Sequence, residues 1–490
     1  MEKIILKVGN IWTYISANFT LDKELIKAMR DDLSYTIDVY IRAKKGFVSV
    51  KKSIFDKKEL RYPTGCFSQM IKLLDEFEIE WEIHDKRIKP KCGKELPIYG
   101  KKMRPYQTET IEKAIEAQRG IIKIATGGGK TTIGAAIIGK LNVKTLFIVN
   151  SVDLLEQAYD EFVDMLQIPI GRVGGGYCDI ERITVCTIQT LHSALGLEYE
   201  AVDDECHIKE KIEDKTLTRK KEIQEMIESC EMIINDETQH SSASSYVNMM
   251  KAATNAFWRY GLSATPWKYE SIDILLQAYS GKEIININAS CLIKEGYLVK
   301  PKIYILDPNL LNGYKFIRKT YRTIYKEWII ENKMRNNLIV DCVKRFLELN
   351  KTTLITVTQV KHGKALLKLL EDKIEGIKAA FIHGEVNKEQ RKELLNSIRS
   401  RNLQVLIGTV VADEGLNLPA LDAAIIAGGG KSLIKTLQRV GRTLRLSPET
   451  EKEEAIIVDF HDHVRYLTGH AKKRIKIYKQ EPEFEIIEHF

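Results

Sequence analysis

Two segments of this 490-residue chain carry residue types whose spacing suits phosphate chemistry. Ile124-Ala-Thr-Gly-Gly-Gly-Lys-Thr-Thr132 follows the apolar run Gly120–Ile124 and reads as a strand, a glycine turn and a helix start. Ile124 stands where the strict phosphate-loop pattern has its leading glycine, but the core the chemistry needs is intact. Thr126 and the glycines Gly127, Gly128 and Gly129 let backbone N–H groups approach phosphate oxygens. Lys130 brings a point charge, the Thr131 hydroxyl can ligate Mg²⁺, and Thr132 continues the helix start. Far downstream, Gln438-Arg-Val-Gly-Arg-Thr-Leu-Arg445 places arginines at helical spacing, suited to meeting a γ-phosphate from across a cleft. Cradle and arginines together suggest an engine that closes on ATP.

Hydrolysis also needs carboxylates, one to hold Mg²⁺ and one to orient the attacking water. Two Asp-Glu pairs compete. Asp204-Glu-Cys-His207 follows a polar stretch, Glu198–Ala201, inside a charged insertion from Glu198 to about Leu217. Asp236-Glu-Thr-Gln-His240 follows the apolar Cys230–Asn235, which delivers both carboxylates to a strand's C-terminal end, the ligand edge of a doubly wound sheet. Asp236 and Glu237 are therefore the expected pair, with Asp236 and Thr131 as the Mg²⁺ residues. A second glycine turn, Ala427-Gly-Gly-Gly-Lys-Ser432, lacks an adjacent Asp-Glu pair and reads as a tight strand-to-helix turn that positions the downstream arginines. Gln107, in Arg104-Pro-Tyr-Gln107, can pair both edges of adenine or serve simply as a helix-start glutamine. Asp459-Phe-His-Asp-His463 has i, i+2, i+4 spacing that does not converge on one helical face, so no metal site is expected there.

The elements that must position these groups alternate. From about 100 to 285, strands Ile121–Ile124, Thr145–Val149, Ile183–Thr187, Met232–Asn235 and Tyr260–Ser263 are separated by amphipathic helices, the pattern of a parallel sheet covered on both faces. After Pro301 the pattern resumes with Thr353–Val357, Lys378–Ile382, Val405–Gly408, Ala423–Ala427 and Ala455–Val458. Residues 1 to about 95 mix strand-like runs (Ile4–Val8, Tyr35–Ile41, Phe47–Val50) with helical stretches Lys23–Met29 and Phe67–Phe77, and end in a basic run, Lys86–Lys91. The parse is an α+β piece over 1–97 and two α/β halves over 98–298 and 299–490. A formal net charge of +8 is compatible with a nucleic-acid partner without requiring one. Eight scattered cysteines without C-x-x-C spacing suggest reduced thiols and a cytoplasmic setting. No apolar run approaches the ~20 residues of a membrane span.

With these residues in hand, the chain resembles the superfamily 2 helicases. Motifs match in order: Gln107; Gly127–Thr132; Leu146–Ser151 with Gln157; Thr187–Thr190; Asp236–His240; Ser263-Ala-Thr265; Phe381–Gly384; Gly408–Gly415; Gln438–Arg445. Within that superfamily it looks most like the UvsW-type phage branch-migration helicases and their XPB and RecG relatives, on Gly261–Pro266, Leu292–Leu298 and Asn336-Asn337 after Arg335. The resemblance implies two tandem RecA-like doubly wound domains behind a small N-terminal domain, with ATP, Mg²⁺ and a DNA substrate, in a monomer. It implies nucleotide contacts from Arg104, Gln107, Thr126–Thr132, Asp236, Glu237, Gln239 and Gly415, with Lys130, Glu237, Arg442 and Arg445 catalytic. Nucleic-acid backbone contacts would come from Asn150, Ser151, Gln189, Thr190, His383, Gly384 and Thr409. Ser263, Thr265, Gln438 and either Gln239 or His240 would couple the two sites; Gln239 stands where the family usually has histidine. The function implied is ATP-driven unwinding or branch migration of branched DNA. Duplex translocation without strand separation and ATP-gated clamping or annealing are the alternatives.

Overall fold

The computed structural model describes residues 3–41, 46–197, 219–236, 243–264, 270–308, 319–409, 421–430, 441 and 454–489. Contacts divide the chain into two compact units, one of Met1–Ile124 with Gly129–Asn286, the other of Ala125–Gly128 with Ile287–Phe490. The elements are those of a tandem RecA-like fold preceded by a smaller domain.

The first unit opens with β1 (Lys3–Val8), β2 (Trp12–Ala17), α1 (Lys23–Asp32), β3 (Ser34–Ile41), β4 (Gly46–Ser53), β5 (Arg61–Pro63), α2 (Phe67–Glu76) and β6 (Glu80–Asp85). β5-β2-β1-β6 form one sheet, while β3 and β4 pair as an antiparallel ribbon. The RecA-like part follows: α3 (Pro105–Ala117), β7 (Arg119–Ile124), α4 (Lys130–Leu141), β8 (Thr145–Val149), α5 (Val152–Leu166), β9 (Gly171–Gly174), β10 (Tyr177–Asp179), β11 (Ile183–Thr187), α6 (Ile188–Ala194), α7 (Lys220–Ser229), β12 (Met232–Asn235), α8 (Ala243–Ala252), β13 (Trp258–Ser263), α9 (Glu270–Ser280) and β14 (Glu283–Ile287). Its sheet runs β10-β9-β11-β8-β12-β13-β7-β14, and β9, β11, β8, β12, β13 and β7 are parallel. β8, β11 and β12 are buried along their whole length, as strands covered on both faces must be.

One apolar core runs through this unit. Ile4, Leu6, Ile15, Tyr62, Met70 and Leu74 belong to the same buried cluster as Ile121, Leu146, Ile148, Tyr246, Leu276 and Tyr279. The seam is also polar. The Arg119 guanidinium donates from Nη1 to Asn10 O (3.1 Å), from Nη2 to Tyr279 O (3.1 Å) and from Nε to Ser280 O (3.2 Å). Burial first, then the Arg259 charge, pushes Arg119 below the usual arginine range. At Gly65 a Cβ would stand 2.1 Å from the Gln277 carbonyl oxygen, so the turn there rests directly on the α9 backbone. Residues 86–104 cross the RecA-like part as an extended strap. Gly93 N, Leu96 N and Tyr99 N donate to Asn142 O, Gly139 O and Met165 O.

The second unit comprises α10 (Ala289–Lys294), β15 (Lys300–Leu306), α11 (Tyr321–Tyr325), α12 (Lys333–Glu348), β16 (Thr353–Val357), α13 (Val360–Lys373), β17 (Ala379–Ile382), α14 (Lys388–Arg399), β18 (Val405–Thr409), β19 (Ala423–Ile426), β20 (Glu454–Phe460), α15 (Leu467–Tyr478) and β21 (Glu485–His489). Its strands form a parallel sheet in the order β17-β18-β16-β19-β20-β15-β21. β15 lies just past the expected 298/299 boundary, in a stretch where the alternation named no strand before Thr353. Pro301 pairs with Ala455, and β21 joins β15 only from Lys302 onward, so the missing N–H leaves no ladder position open on that side.

Candidate nucleotide and nucleic-acid site

The phosphate loop sits on the C-terminal end of β7. Gly127 and Gly129 have φ values of 88° and 82°, the left-handed region that glycine enters without strain. Gly129 is the N-cap of α4 and offers no side chain to the first-turn N–H groups, leaving that end to a ligand. The cradle is narrow: a Cβ at Gly129 would lie 2.5 Å from Gln107 Nε2. Gln107 is buried at the start of α3; its N–H donates to Arg104 O (2.9 Å) and its Oε1 accepts from Arg104 N (2.9 Å). The Arg104 guanidinium donates to Tyr106 Oη (3.1 Å). Lys130 and Thr131 open α4, half-buried beside the glycines, and Thr132 is buried. This glycine cradle with a lysine and a threonine at a helix start fits a Mg²⁺-triphosphate.

Asp236 follows β12 and is 8% exposed, with its N–H donating to Ile148 O (2.8 Å). β12 is separated from β7 by β13, whose last residue is Ser263, buried at the same edge. Three segments implied or expected at the site thus converge on consecutive strand ends. Glu237, Gln239, His240, Thr265, Gly415, Gln438, Arg442 and Arg445 lie outside the described residues, as does Asp204–His207.

Along the same edge the backbone-contact candidates follow on β8 and β11. Asn150 Nδ2 donates to Asp236 O (3.4 Å), and Gln189 Nε2 donates to Asn150 O (2.8 Å). Asp236, Asn150 and Gln189 therefore form a hydrogen-bonded row. Ser151 caps α5, its Oγ accepting from Leu154 N (3.3 Å). Thr190 is 2% exposed and its hydroxyl accepts from Thr187 Oγ1 (2.9 Å), so it holds the strand end rather than presenting a side chain outward. The sequence reading did not single out Gly174–Gly176. These three consecutive glycines have φ of 130°, 59° and 89°. A Cβ at Gly174 would stand 2.5 Å from Thr187 Oγ1, and one at Gly175 2.7 Å from Val152 Cγ1. The run Val173-Gly-Gly-Gly176 was the available signal, and it lay between elements the alternation pattern did not resolve.

In the second unit, His383 and Gly384 follow β17. The His383 ring is tilted against Phe381 (5.0 Å between centroids), and Gly384 is exposed. Thr409 ends β18 with its hydroxyl buried and without a hydrogen-bond partner among the described residues. Neither carboxylate of Asp459–His463 is placed for a metal. Asp459 pairs with Arg474 (2.8 Å) and Asp462 with Arg335 (3.0 Å). Among the described residues no group of three or more His, Cys, Asp or Glu is placed to hold a metal ion, and no helix is long and apolar enough to cross a membrane.

This fold and these motif-bearing strand ends define a superfamily 2 helicase architecture, an ATP-dependent helicase type of enzyme. Two family models match: Type III restriction enzyme, res subunit, over residues 100–268, and Helicase conserved C-terminal domain over residues 336–447. The chain is 23% identical over 502 residues to the ATP-dependent DNA helicase uvsW of Enterobacteria phage T4, covering 92% of this chain and 93% of that one. It is 25% identical over 388 residues to the DNA 3'-5' translocase XPB2 of Sulfurisphaera tokodaii, covering 73% and 81%. A helicase of Sulfolobus islandicus filamentous virus is 26% identical over 397 residues, which span 76% of this chain and 66% of that protein. In fold it is similar to a fragment of an HsdR subunit from Vibrio vulnificus YJ016 (TM-score 0.55, 16% identity, covering 97% and 85%).

Proposed function

We propose that this protein is an ATP-driven DNA helicase or translocase acting on branched DNA, coupling hydrolysis to unwinding or branch migration. One observation carries the reading: the hydrogen-bonded row Asp236–Asn150–Gln189, which ties the backbone carbonyl of Asp236, the residue read as holding Mg²⁺, to the strand ends suited to holding a nucleic-acid backbone. Small polar groups and strand-end turns suit phosphate contact without base reading. Lys130 neutralises the β/γ-phosphates, Glu237 orients the attacking water, and Arg442 and Arg445 offset the charge that grows on the transferred phosphoryl group. Thr131 and Asp236 would hold Mg²⁺, whose charge lowers that same barrier. Asn150, Ser151, Gln189, His383, Gly384 and Thr409 line the strand's path. Ser263, Thr265, Gln438 and Gln239 or His240 relay nucleotide state to it. The N-terminal sheet, with its basic strap, selects the branch. Likeness to the phage DNA helicase and the archaeal DNA translocase named above supports DNA as the substrate.

The test compares wild type with Glu237→Gln and Glu205→Gln on a fork, a four-way junction, a plain duplex and a triplex. The proposal expects faster processing of branched substrates and third-strand displacement. Glu237→Gln should bind ATP and DNA with turnover nearly abolished, and Glu205→Gln should work normally. Triplex displacement without separation of any fork favours duplex translocation. ATP hydrolysis with neither refutes the motor reading in favour of a clamp.

A further inference from the structure

Three stretches contribute no nucleotide or nucleic-acid contact to the proposed function: Arg335-Asn336-Asn337, Asp459–His463, and the second glycine turn Ala427–Gly430, which the sequence suggested positions the downstream arginines. The fold brings all three together at the C-terminal edge of the second sheet. The turn after β19 changes direction through Gly429 (φ 61°) and Gly430 (φ 101°), and Gly428 N donates to Thr356 O (2.8 Å). Its carbonyls would be stranded in a buried place, yet each of three is taken by a side chain from a different element. Arg335, on α12, donates from Nη1 to Ala427 O (2.7 Å). Tyr325, ending α11, donates from Oη to Gly428 O (2.7 Å) and also meets Thr358 Oγ1. Arg474, on α15, donates from Nη1 to Gly430 O (2.6 Å).

Each arginine is aimed by its own carboxylate. Arg335 Nε reaches Asp462 Oδ1 at 3.0 Å, with the guanidinium 4.2 Å from the Phe460 ring centroid. Arg474 grips Asp459 in bidentate fashion (2.8 and 2.9 Å), and Tyr478 Oη donates to the same carboxylate (2.8 Å). Arg335 is 0% exposed and Arg474 2%. Ion pairs buried this deeply add little net stability against an apolar packing of the same volume, but they fix geometry. What they fix is the carbonyl row of one turn. Twelve residues beyond Gly430 along the chain stands Arg442.

We propose that Tyr325, Arg335–Asp462 and Arg474–Asp459 are positioning residues for ATP hydrolysis: a three-point carbonyl clamp that sets where the Arg442-bearing segment leaves the sheet. This rests on the arginine role proposed above. A transition-state contact tolerates little misplacement, so loosening the launch point should slow the chemical step and spare nucleotide affinity. The fitted groups are hydrogen bonders at fixed angle, so lysine cannot replace Arg474.

The test measures DNA-stimulated ATP turnover of Tyr325→Phe and Arg474→Lys, each alone and combined with Arg442→Lys, alongside thermal melting. Tyr325→Phe loses one hydroxyl and keeps its ring, so it is the variant expected to melt near wild type. Expected is a fall of about tenfold in kcat for each clamp variant with KM for ATP within about twofold. In the Arg442→Lys background the clamp variants should add little, because both changes act on the same contact. Full multiplication of the two losses overturns the clamp proposal while leaving the arginine role intact, as does unchanged kcat in Tyr325→Phe. Wild-type turnover in Arg442→Lys and Arg442→Ala instead overturns the arginine role, and the clamp falls with it.

Discussion

Replacing Arg119 by methionine should loosen the N-terminal sheet from the RecA-like part of the first unit. The side chain keeps an unbranched apolar stem, but three charge-assisted hydrogen bonds to Asn10 O, Tyr279 O and Ser280 O are lost. Such bonds contribute about 1.5–3 kcal/mol each, partly offset by the desolvation that a half-buried guanidinium costs. Removing one partner of a buried polar network typically costs about 3–5 kcal/mol, because the orphaned groups remain buried. Methionine restores apolar packing, so the lower end, about 3 kcal/mol, is the working figure. In a unit of this size that lowers Tm by roughly 6 °C or more. The assay pairs thermal unfolding with limited tryptic digestion of the strap, which carries Lys86, Arg87, Lys89, Lys91, Lys94, Lys101, Lys102 and Arg104. Faster strap cleavage below the melting transition marks undocking of the sheet. A Tm within about 1 °C of wild type, with strap cleavage at the wild-type rate, would refute the reasoning.

Two further outcomes follow from named geometry. Gly129→Ala puts a Cβ at φ 82° and 2.5 Å from Gln107 Nε2. The backbone strain is about 1–3 kcal/mol, ATP affinity measured with a fluorescent nucleotide should fall at least about tenfold, and adding Gln107→Ala should relieve the clash while leaving the backbone strain and the lost affinity in place. His362 is buried against Arg335, and burial first, then that charge, lowers its pKa to about 3, while its Nε2 meets Asn336 Oδ1 at 3.1 Å. Its folded pKa lies below the unfolded value, so its contribution is present above about pH 6.5 and is lost as pH falls toward about 3. By pH 5 that loss is about 2 kcal/mol. Urea unfolding should show a shallower fall between pH 7 and 5 in His362→Gln, and an identical pH slope in both proteins would sink the assignment.

Where burial on both faces dictates composition, the sequence was a good guide. Thr145–Val149, Ile183–Thr187, Met232–Asn235 and Thr353–Val357 are strands at the residues expected. The expected helices Lys23–Met29 and Phe67–Phe77 also match α1 and α2 closely. Strands at or next to a sheet edge were harder. β9 and β10 are short and glycine-bounded, β6 is mostly exposed and charged, and β15 contains Pro301, so none carries the apolar run of a central strand. The phosphate loop and Asp236 were legible because their chemistry is written in contiguous residues. The Arg335 and Arg474 contacts were not: they join positions 15 to 127 residues apart, and those to the turn, 92 and 44 residues apart, end on carbonyl oxygens, which leave no mark on side-chain identity. For Gln107 the residue type suited adenine or a helix start, and the contact of its Oε1 with the Arg104 N–H is again one made with the backbone.

The shared core of the first unit bears on how the chain is made. Arg119 reaches back 109 residues to Asn10, and the Asn10 side chain donates to Thr254 O, 244 residues ahead. During synthesis the N-terminal sheet emerges first, but the surface that completes it does not exist until α9 has left the ribosome. Its apolar face must wait, and contacts this distant in sequence form slowly. A nascent chain stalled before about Ser280 should therefore be protease-sensitive and prone to associate with itself or with chaperones. Release of α9 should end that exposure abruptly, making the first unit a late and cooperative folder rather than a string of modules assembled in order.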